Sequence, residues 1–245
     1  MVDFDLLTHR LADVGIQGTA LQWLVSFLHG RRQRVVIGEK SSRHHPLLCG
    51  VLQGAILSPM LFNVYVRPLA QLARRFGLGC HQYADDTQLY LLMDGGAQSV
   101  PDTLTTALEA VAGWLKKSRL KLNPTKTEVL WLGRGGIGTC PRLPTLDGAT
   151  LVAQPSVKSL GVVLDASLSM EAQVLATAKT AFYHLRQVRQ LAPYLNPPDL
   201  ATVIHALVTS RLDYCNSLYA GLPLCLIRRL QLVQNAAARL LSGAP

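Results

Sequence analysis

Gln82-Tyr83-Ala84-Asp85-Asp86-Thr87-Gln88-Leu89-Tyr90 sets two adjacent carboxylates between a short lead-in, Gly79 to Tyr83, and a β-prone run from Thr87 to Met93. Strand, tight turn, strand is the predicted local structure, because Asp tolerates the positive φ that tight hairpin turns require. A hairpin tip that presents two carboxylates has a chemical use. Oxygen-only anionic donors on a rigid element suit Mg²⁺, which takes one or two carboxylates and completes its shell with water and substrate phosphates. Asp-Asp also punctuates ordinary solvated turns, so its weight comes from what surrounds it.

Upstream lies Gly50-Val51-Leu52-Gln53-Gly54-Ala55-Ile56-Leu57-Ser58-Pro59-Met60-Leu61-Phe62-Asn63. The two stretches, in this order, resemble the reverse transcriptases of non-LTR (LINE-type) retrotransposons. The first is similar to that family's Gly-Val-x-Gln-Gly-x-x-Leu-Ser-Pro-x-Leu-Phe motif, with Ala55 where the family often has Ser. The second is similar to its Tyr-x-Asp-Asp palm hairpin. Leu120-Lys121-Leu122-Asn123-Pro124-Thr125-Lys126-Thr127-Glu128 resembles the signature that follows the hairpin, and Val157–Asp165 resembles the strand leading to the thumb. Ser210–Tyr219 looks like the region after the palm in vertebrate elements.

The resemblance implies RNA-directed DNA polymerisation: two-metal nucleotidyl transfer with Mg²⁺, an RNA template, a DNA primer and deoxynucleotide triphosphates. It implies that Asp85 binds metal, with Asp86 as helper, and that Tyr83 packs beside the primer end. Gly54 would let backbone lie close to the template–primer base pair, and Gln53 would orient that loop. Lys126 would sit near the triphosphate as a charge or proton donor; its alternative is a solvated Lys at a strand entrance. The family's first metal-binding Asp sits in an Ala-Phe-Asp-x-Val-Asp-His type motif, of which Val2-Asp3-Phe4-Asp5-Leu6-Leu7 matches only the tail. On that register the chain is expected to be an N-terminally truncated palm and thumb, inactive or nearly so by itself.

Bulk properties agree with a nucleic-acid partner. The 245 residues carry 24 Lys and Arg against 15 Asp and Glu, a formal charge of +9. Residues 1–168 hold 17 basic and 12 acidic groups, and residues 169–245 hold 7 and 3. Such an excess favours polyanions in general, nucleic acid or anionic membrane surface alike. No apolar run approaches the roughly 18 residues of a membrane span. Five cysteines without a C-x-x-C pair indicate neither a disulfide framework nor a zinc site. An intracellular protein is expected, with nucleus and cytoplasm not distinguishable and oligomeric state not indicated.

The remaining elements follow from periodicity. Residues 5–14 and 19–28 have helical apolar spacing. The basic β-prone run Arg31-Arg32-Gln33-Arg34-Val35-Val36-Ile37 is either a nucleic-acid backbone contact through Arg31, Arg32 and Arg34, or a cation-defended edge strand. Ser58 is expected as N-cap with Pro59 at N1 and a kink at Pro68. Asp102 is expected to cap a helix to about Ser118 after a turn at Gly95-Gly96, and residues 133–156 read as loop with short strands. Helices are expected at 169–191, 198–211 and 223–241. The predicted class is α+β: a partial polymerase palm (antiparallel hairpin with packed helices) at 1–168, followed by a helical thumb at 169–245. Two non-catalytic alternatives stand beside it: a nucleic-acid-binding relic, or a helical interaction module at 169–245.

Overall fold

The computed structural model describes residues 1–92, 100–133, 140, 143, 145, 146 and 148–244. The expected Gly95-Gly96 turn, Met93 and much of the 133–156 loop lie outside the described residues. The chain is a mixture of helices and short strands, packed as two compact units: residues 1–127 with 141–151, and residues 128–140 with 152–245.

In the first unit, α1 (Phe4–Asp13) begins at Asp3, whose Oδ1 accepts the Leu6 N–H at 3.0 Å. This satisfies one of the donors a helix start leaves open. Its buried Phe4, Leu7 and Leu11 pack with Leu28 of α2 (Gly18–Leu28) and with Leu61 and Tyr65 of α3 (Ser58–Arg75). Ser58 is the first residue of α3 rather than its cap: Leu57 holds the cap position with helical dihedrals and no side-chain bond. The Ser58 hydroxyl turns back to donate to the Leu52 carbonyl instead, so it stabilises the preceding loop. The helix runs through Pro68 to Arg75. The fourth helix, α4 (Val100–Lys117), starts two residues before Asp102, which therefore lies in the first turn and not at the cap. There it still complements the helix dipole.

Three helices meet at Tyr65, which is fully buried. Its hydroxyl donates to the Ser118 carbonyl at 2.6 Å, just past α4, and accepts the Asp3 N–H at 3.2 Å, at the start of α1. The Arg10 guanidinium lies 4.3 Å from the Tyr65 ring centroid and 5.0 Å from that of Trp114. It donates to the Tyr65 carbonyl and, at 2.7 Å, to the buried Ser118 hydroxyl. Burial pulls the Arg10 pKa down, with Tyr65 and Asp13 opposing, yet guanidinium stays protonated in proteins. Arg119, at φ +52, ends α4 in a left-handed turn, its N–H bonding the Lys116 carbonyl and that of Leu120 bonding Leu115. Its side chain pairs with Asp3 at 2.9 Å.

In the second unit, strands Ser156–Ser159 and Val162–Asp165 form an antiparallel hairpin through Leu160 and Gly161, both at positive φ as a type I′ turn requires. The strand Val129–Leu130 runs parallel to Ala153–Gln154. Asp165 then organises the loop into α5 (Glu171–Leu191). Its carboxylate accepts the backbone N–H groups of Ser167, Ser169 and Met170 and both serine hydroxyls, at 2.6–3.1 Å. Burial alone would raise its pKa, but these bonds prevail and hold it at about 2. The helices α5, α6 (Pro197–Ile204), α7 (Ser210–Asp213) and α8 (Leu224–Ser242) enclose a core of Ala181, Leu185, Val188, Ile204, Val208 and Val233. A π-helical turn, His205–Thr209, joins α6 to α7, so residues expected as one α-helix carry one wider turn. Buried Gln173 ties α5 to the hairpin: its Oε1 accepts the Val163 N–H at 2.8 Å, and its Nε2 reaches Thr177 and Tyr219.

Two outcomes follow. Tyr65→Phe keeps the ring and strands the Ser118 carbonyl and the Asp3 N–H, so denaturation should show a loss of about 1–3 kcal/mol. For Asp165, the depressed pKa means that its contribution is complete above the ordinary carboxylate value. That contribution fades as pH falls from about 4 to about 2. Acid titration of Asp165→Asn should lack that segment of the wild-type transition while starting from a lower stability at neutral pH.

Candidate functional site

The predicted hairpin is present. The strands Gly79–Tyr83 and Asp86–Tyr90 pair antiparallel, with Tyr83 opposite Asp86 and Gly79 opposite Tyr90. Ala84 and Asp85 form the two-residue turn, and the positive φ expected for Asp falls on Ala84, at +52°. Alternation assigns the two faces. Cys80, Gln82 and Leu89 lie inward, and Cys80 and Leu89 pack with Ala73 and Leu78 against Ala107 of α4. Gln82 donates from Nε2 to the Val66 carbonyl of α3 at 3.3 Å. Burial pushes the Cys80 thiol up, against a lowering by Arg74, so it behaves as a small apolar group.

The outward face carries His81, Tyr83, Asp86, Gln88 and Tyr90, all exposed. Tyr90 folds its ring over Gly79: a Cβ at Gly79 would lie 2.1 Å from the Tyr90 Cζ. His81 stacks on the same ring, centroids 5.2 Å apart and planes 16° from parallel. Gly79 is thus required by close approach, and its cross-strand aromatic replaces the side chain it lacks. At the other end Tyr83 is 68% exposed, and Asp85 and Asp86 are both exposed.

The other predicted site residues take three separate places in the first unit. Gln53 and Gly54 form an exposed turn before α3, where Gly54 has φ +85. A Cβ there would meet nothing within 4 Å, so the glycine is required by its backbone angle, and its open side leaves room for a ligand. Lys126 ends a short 3₁₀ turn, Pro124–Lys126, capped by Asn123, and its side chain is exposed. Arg32 and Arg34 are exposed, whereas Arg31 is half-buried with its Nε and Nη2 donating to backbone carbonyls. Among the described residues no hydrogen bond or ion pair joins Asp85, Asp86, Gln53 and Lys126 to one another, and no three His, Cys, Asp or Glu side chains converge as a metal site. Of the two sequence candidates for a further ligand, Asp3 is committed to the α1 cap and to Arg119, and Asp5 is exposed in the first turn of α1. The Arg10–Tyr65–Ser118 junction carried no sequence signal because its residues are distant in the chain, and the Gly79–Tyr90 pair emerges only from the hairpin register.

Gly79→Ala should expel the Tyr90 ring and release His81, weakening the hairpin by about 0.5–1.5 kcal/mol, the range of aromatic pair couplings. In a double-mutant cycle, Tyr90→Ala should cost little more once Gly79→Ala is present. Full additivity would show that the ring does not depend on the glycine.

Comparison with known proteins identifies the family. Residues 1–164 match the family model described as "Reverse transcriptase (RNA-dependent DNA polymerase)". The "Probable RNA-directed DNA polymerase from transposon BS" of Drosophila melanogaster is 28% identical over 91% of this chain. The "RNA-directed DNA polymerase from mobile element jockey" of Drosophila funebris is 24% identical, also over 91%. In both cases the chain spans 25% of the relative's length. The family uses divalent metal ions and acts on nucleic-acid template and primer, and no helix among the described residues is long and apolar enough to cross a membrane. With the hairpin, the Gln53-Gly54 turn and the match over most of its length in agreement, the chain belongs to the reverse transcriptase family, on the side of the non-LTR mobile elements.

Proposed function

We propose that this chain is the palm-and-thumb portion of an RNA-directed DNA polymerase of a LINE-type element, with residues 1–168 as partial palm and 169–245 as thumb. The observation that carries the reading is the hairpin tip: Asp85 and Asp86 exposed at a turn whose base is pinned to α3 and α4. In this role Asp85 is the direct ligand for Mg²⁺ and Asp86 its helper. Tyr83 lies against the primer end, the Gln53-Gly54 turn against the template–primer pair, and Lys126 near the triphosphate of the incoming deoxynucleotide. The thumb assignment rests on the closed helical core of the second unit and on the exposed Lys179, Phe182, Tyr183 and Arg186 along α5.

The donor set fits one divalent ion and not two. Mg²⁺ accepts one or two carboxylates plus water and phosphate, and Asp85 with Asp86 supply that. A two-ion centre needs carboxylates from a second element, and none converges on the pair among the described residues. This observation favours a second reading, in which the isolated chain binds nucleic acid without catalysis.

Primer extension on an RNA template distinguishes the two. The chain alone should incorporate no nucleotide, and Asp85→Ala should change nothing. Joined in frame to an upstream segment bearing a further Asp on a palm strand, it should extend the primer, and Asp85→Ala should abolish that activity. Extension by the fusion that survives Asp85→Ala would remove Asp85 from the site; extension by the chain alone that requires Asp85 would show its own residues to be sufficient.

A further inference from the structure

Every residue from Arg32 to Pro46 is exposed. The segment is a two-stranded antiparallel ribbon: β1 (Arg32–Gln33) pairs with β4 (His45–Pro46), and β2 (Val36–Ile37) with β3 (Lys40–Ser41). Between the pairs the register slips by one, so that residues 34–35 oppose 42–44, a bulge that adds twist. Val35 and Ser42 still hold each other there, through the Val35 N–H to the Ser42 hydroxyl at 3.0 Å and the Ser42 N–H to the Val35 carbonyl at 2.9 Å.

At the base of the ribbon, Arg31 anchors it. Its Nε donates to the Leu28 carbonyl, before the ribbon, and its Nη2 to the Gly50 carbonyl, after it, both at 2.9 Å. The guanidinium rests 5.5 Å from the Phe4 ring centroid and 5.9 Å from that of Phe27. Arg31 is therefore a clamp across the two legs and not a free surface cation. Beyond it stand Arg32, Arg34, Lys40 and Arg43 against a single acid, Glu39, with His44 and His45 on the return strand. None of the four cations forms an ion pair among the described residues. Val35, Val36 and Ile37 are 64%, 56% and 77% exposed.

A two-stranded ribbon in which every residue is exposed is marginally stable by itself, and its excess of cations favours a polyanion. We propose that the 32–46 ribbon is a nucleic-acid docking arm. In it Arg32, Arg34, Lys40 and Arg43 contact phosphates, and the apolar apex lies against sugars in the wide, shallow minor groove of the A-like hybrid duplex. Arg31 acts as a positioning residue that holds the arm's angle and touches no phosphate. The proposal rests on the polymerase-family reading and extends it from the outgoing strand to the whole ribbon, while moving Arg31 out of the contact set.

Salt dependence separates contact from positioning, because each neutralised phosphate adds roughly 0.7–0.9 to the slope of log K against log salt. The measurement is titration of the full chain with a short RNA–DNA primer–template across a salt series. The variant carrying Arg32→Gln, Arg34→Gln, Lys40→Gln and Arg43→Gln should bind more weakly, with a slope lower by about 3. Arg43→Gln alone should lower it by about one contact, and this single surface change keeps the test valid if the fourfold variant misfolds. Arg31→Gln should weaken binding while leaving the slope at the wild-type value. A wild-type slope in both the fourfold variant and Arg43→Gln, with the wild-type chain binding normally, would overturn the arm and leave the polymerase reading standing. No binding by the wild-type chain would count against both. Loss of binding to phosphatidylserine vesicles in the fourfold variant, with primer–template binding intact, would assign the arm to a membrane and equally overturn the proposal.

Discussion

The Tyr65 hydroxyl is the constraint on which the first unit depends. One atom donates to the end of α4 and accepts from the start of α1, and it is carried by α3. Because the residue is fully buried, neither partner can exchange its bond for one to water without opening the core. Arg10 closes the same junction from the other side, bonding the Tyr65 carbonyl and the Ser118 hydroxyl while its flat face covers two aromatic rings. A half-buried guanidinium is tolerated there because its charge remains spread over a planar group that stacks well and is weakly hydrated.

That junction also fixes the candidate site. The Tyr65 carbonyl is bonded by Arg10, and the next carbonyl along α3, Val66, accepts Gln82 from the hairpin. Adjacent peptide groups of α3 therefore connect the Asp hairpin to the three-helix junction. The hairpin needs this support, since two strands with one exposed face do not hold a turn rigidly by themselves. Tyr90 over Gly79 stiffens the open face at the far end from the carboxylates. Rigid base and exposed tip are what phosphoryl chemistry requires of a ligand that must meet substrate without relaxing.

Local signals made much of this visible in the sequence. The Asp85-Asp86 hairpin was legible because strand-prone residues flank a turn-prone pair, and the helices because their apolar spacing repeats. What was illegible was the destination of long polar side chains. Ser58 has the chemistry of an N-cap, but a turn starting one residue earlier leaves its hydroxyl facing Leu52. Arg31 stands in a basic run and looks like Arg32 and Arg34, yet carbonyls at 28 and 50, brought together only by folding, claim it. Asp165 similarly reads as a strand end and turns out to gather three backbone donors into one loop. Ala84 takes the positive φ because the turn position, and not the residue best suited to it, sets the angle.

Among the described residues, Asp85 and Asp86 stand at the hairpin tip and no third ligand side chain converges on them. In a polymerase centre the ions are held between elements, so that each carboxylate is oriented by a different part of the palm. Here Asp85 and Asp86 share one hairpin, and successive residues at a turn cannot both face one point from opposite sides. Asp3 lies in the same unit, but moving it toward a metal would uncap α1 and release Arg119, and its N–H would leave the Tyr65 hydroxyl. Recruiting Asp3 would thus dismantle the junction that positions the hairpin. Of the two sequence candidates for a further ligand, Asp3 and Asp5, Asp3 is the one whose structural role is least replaceable.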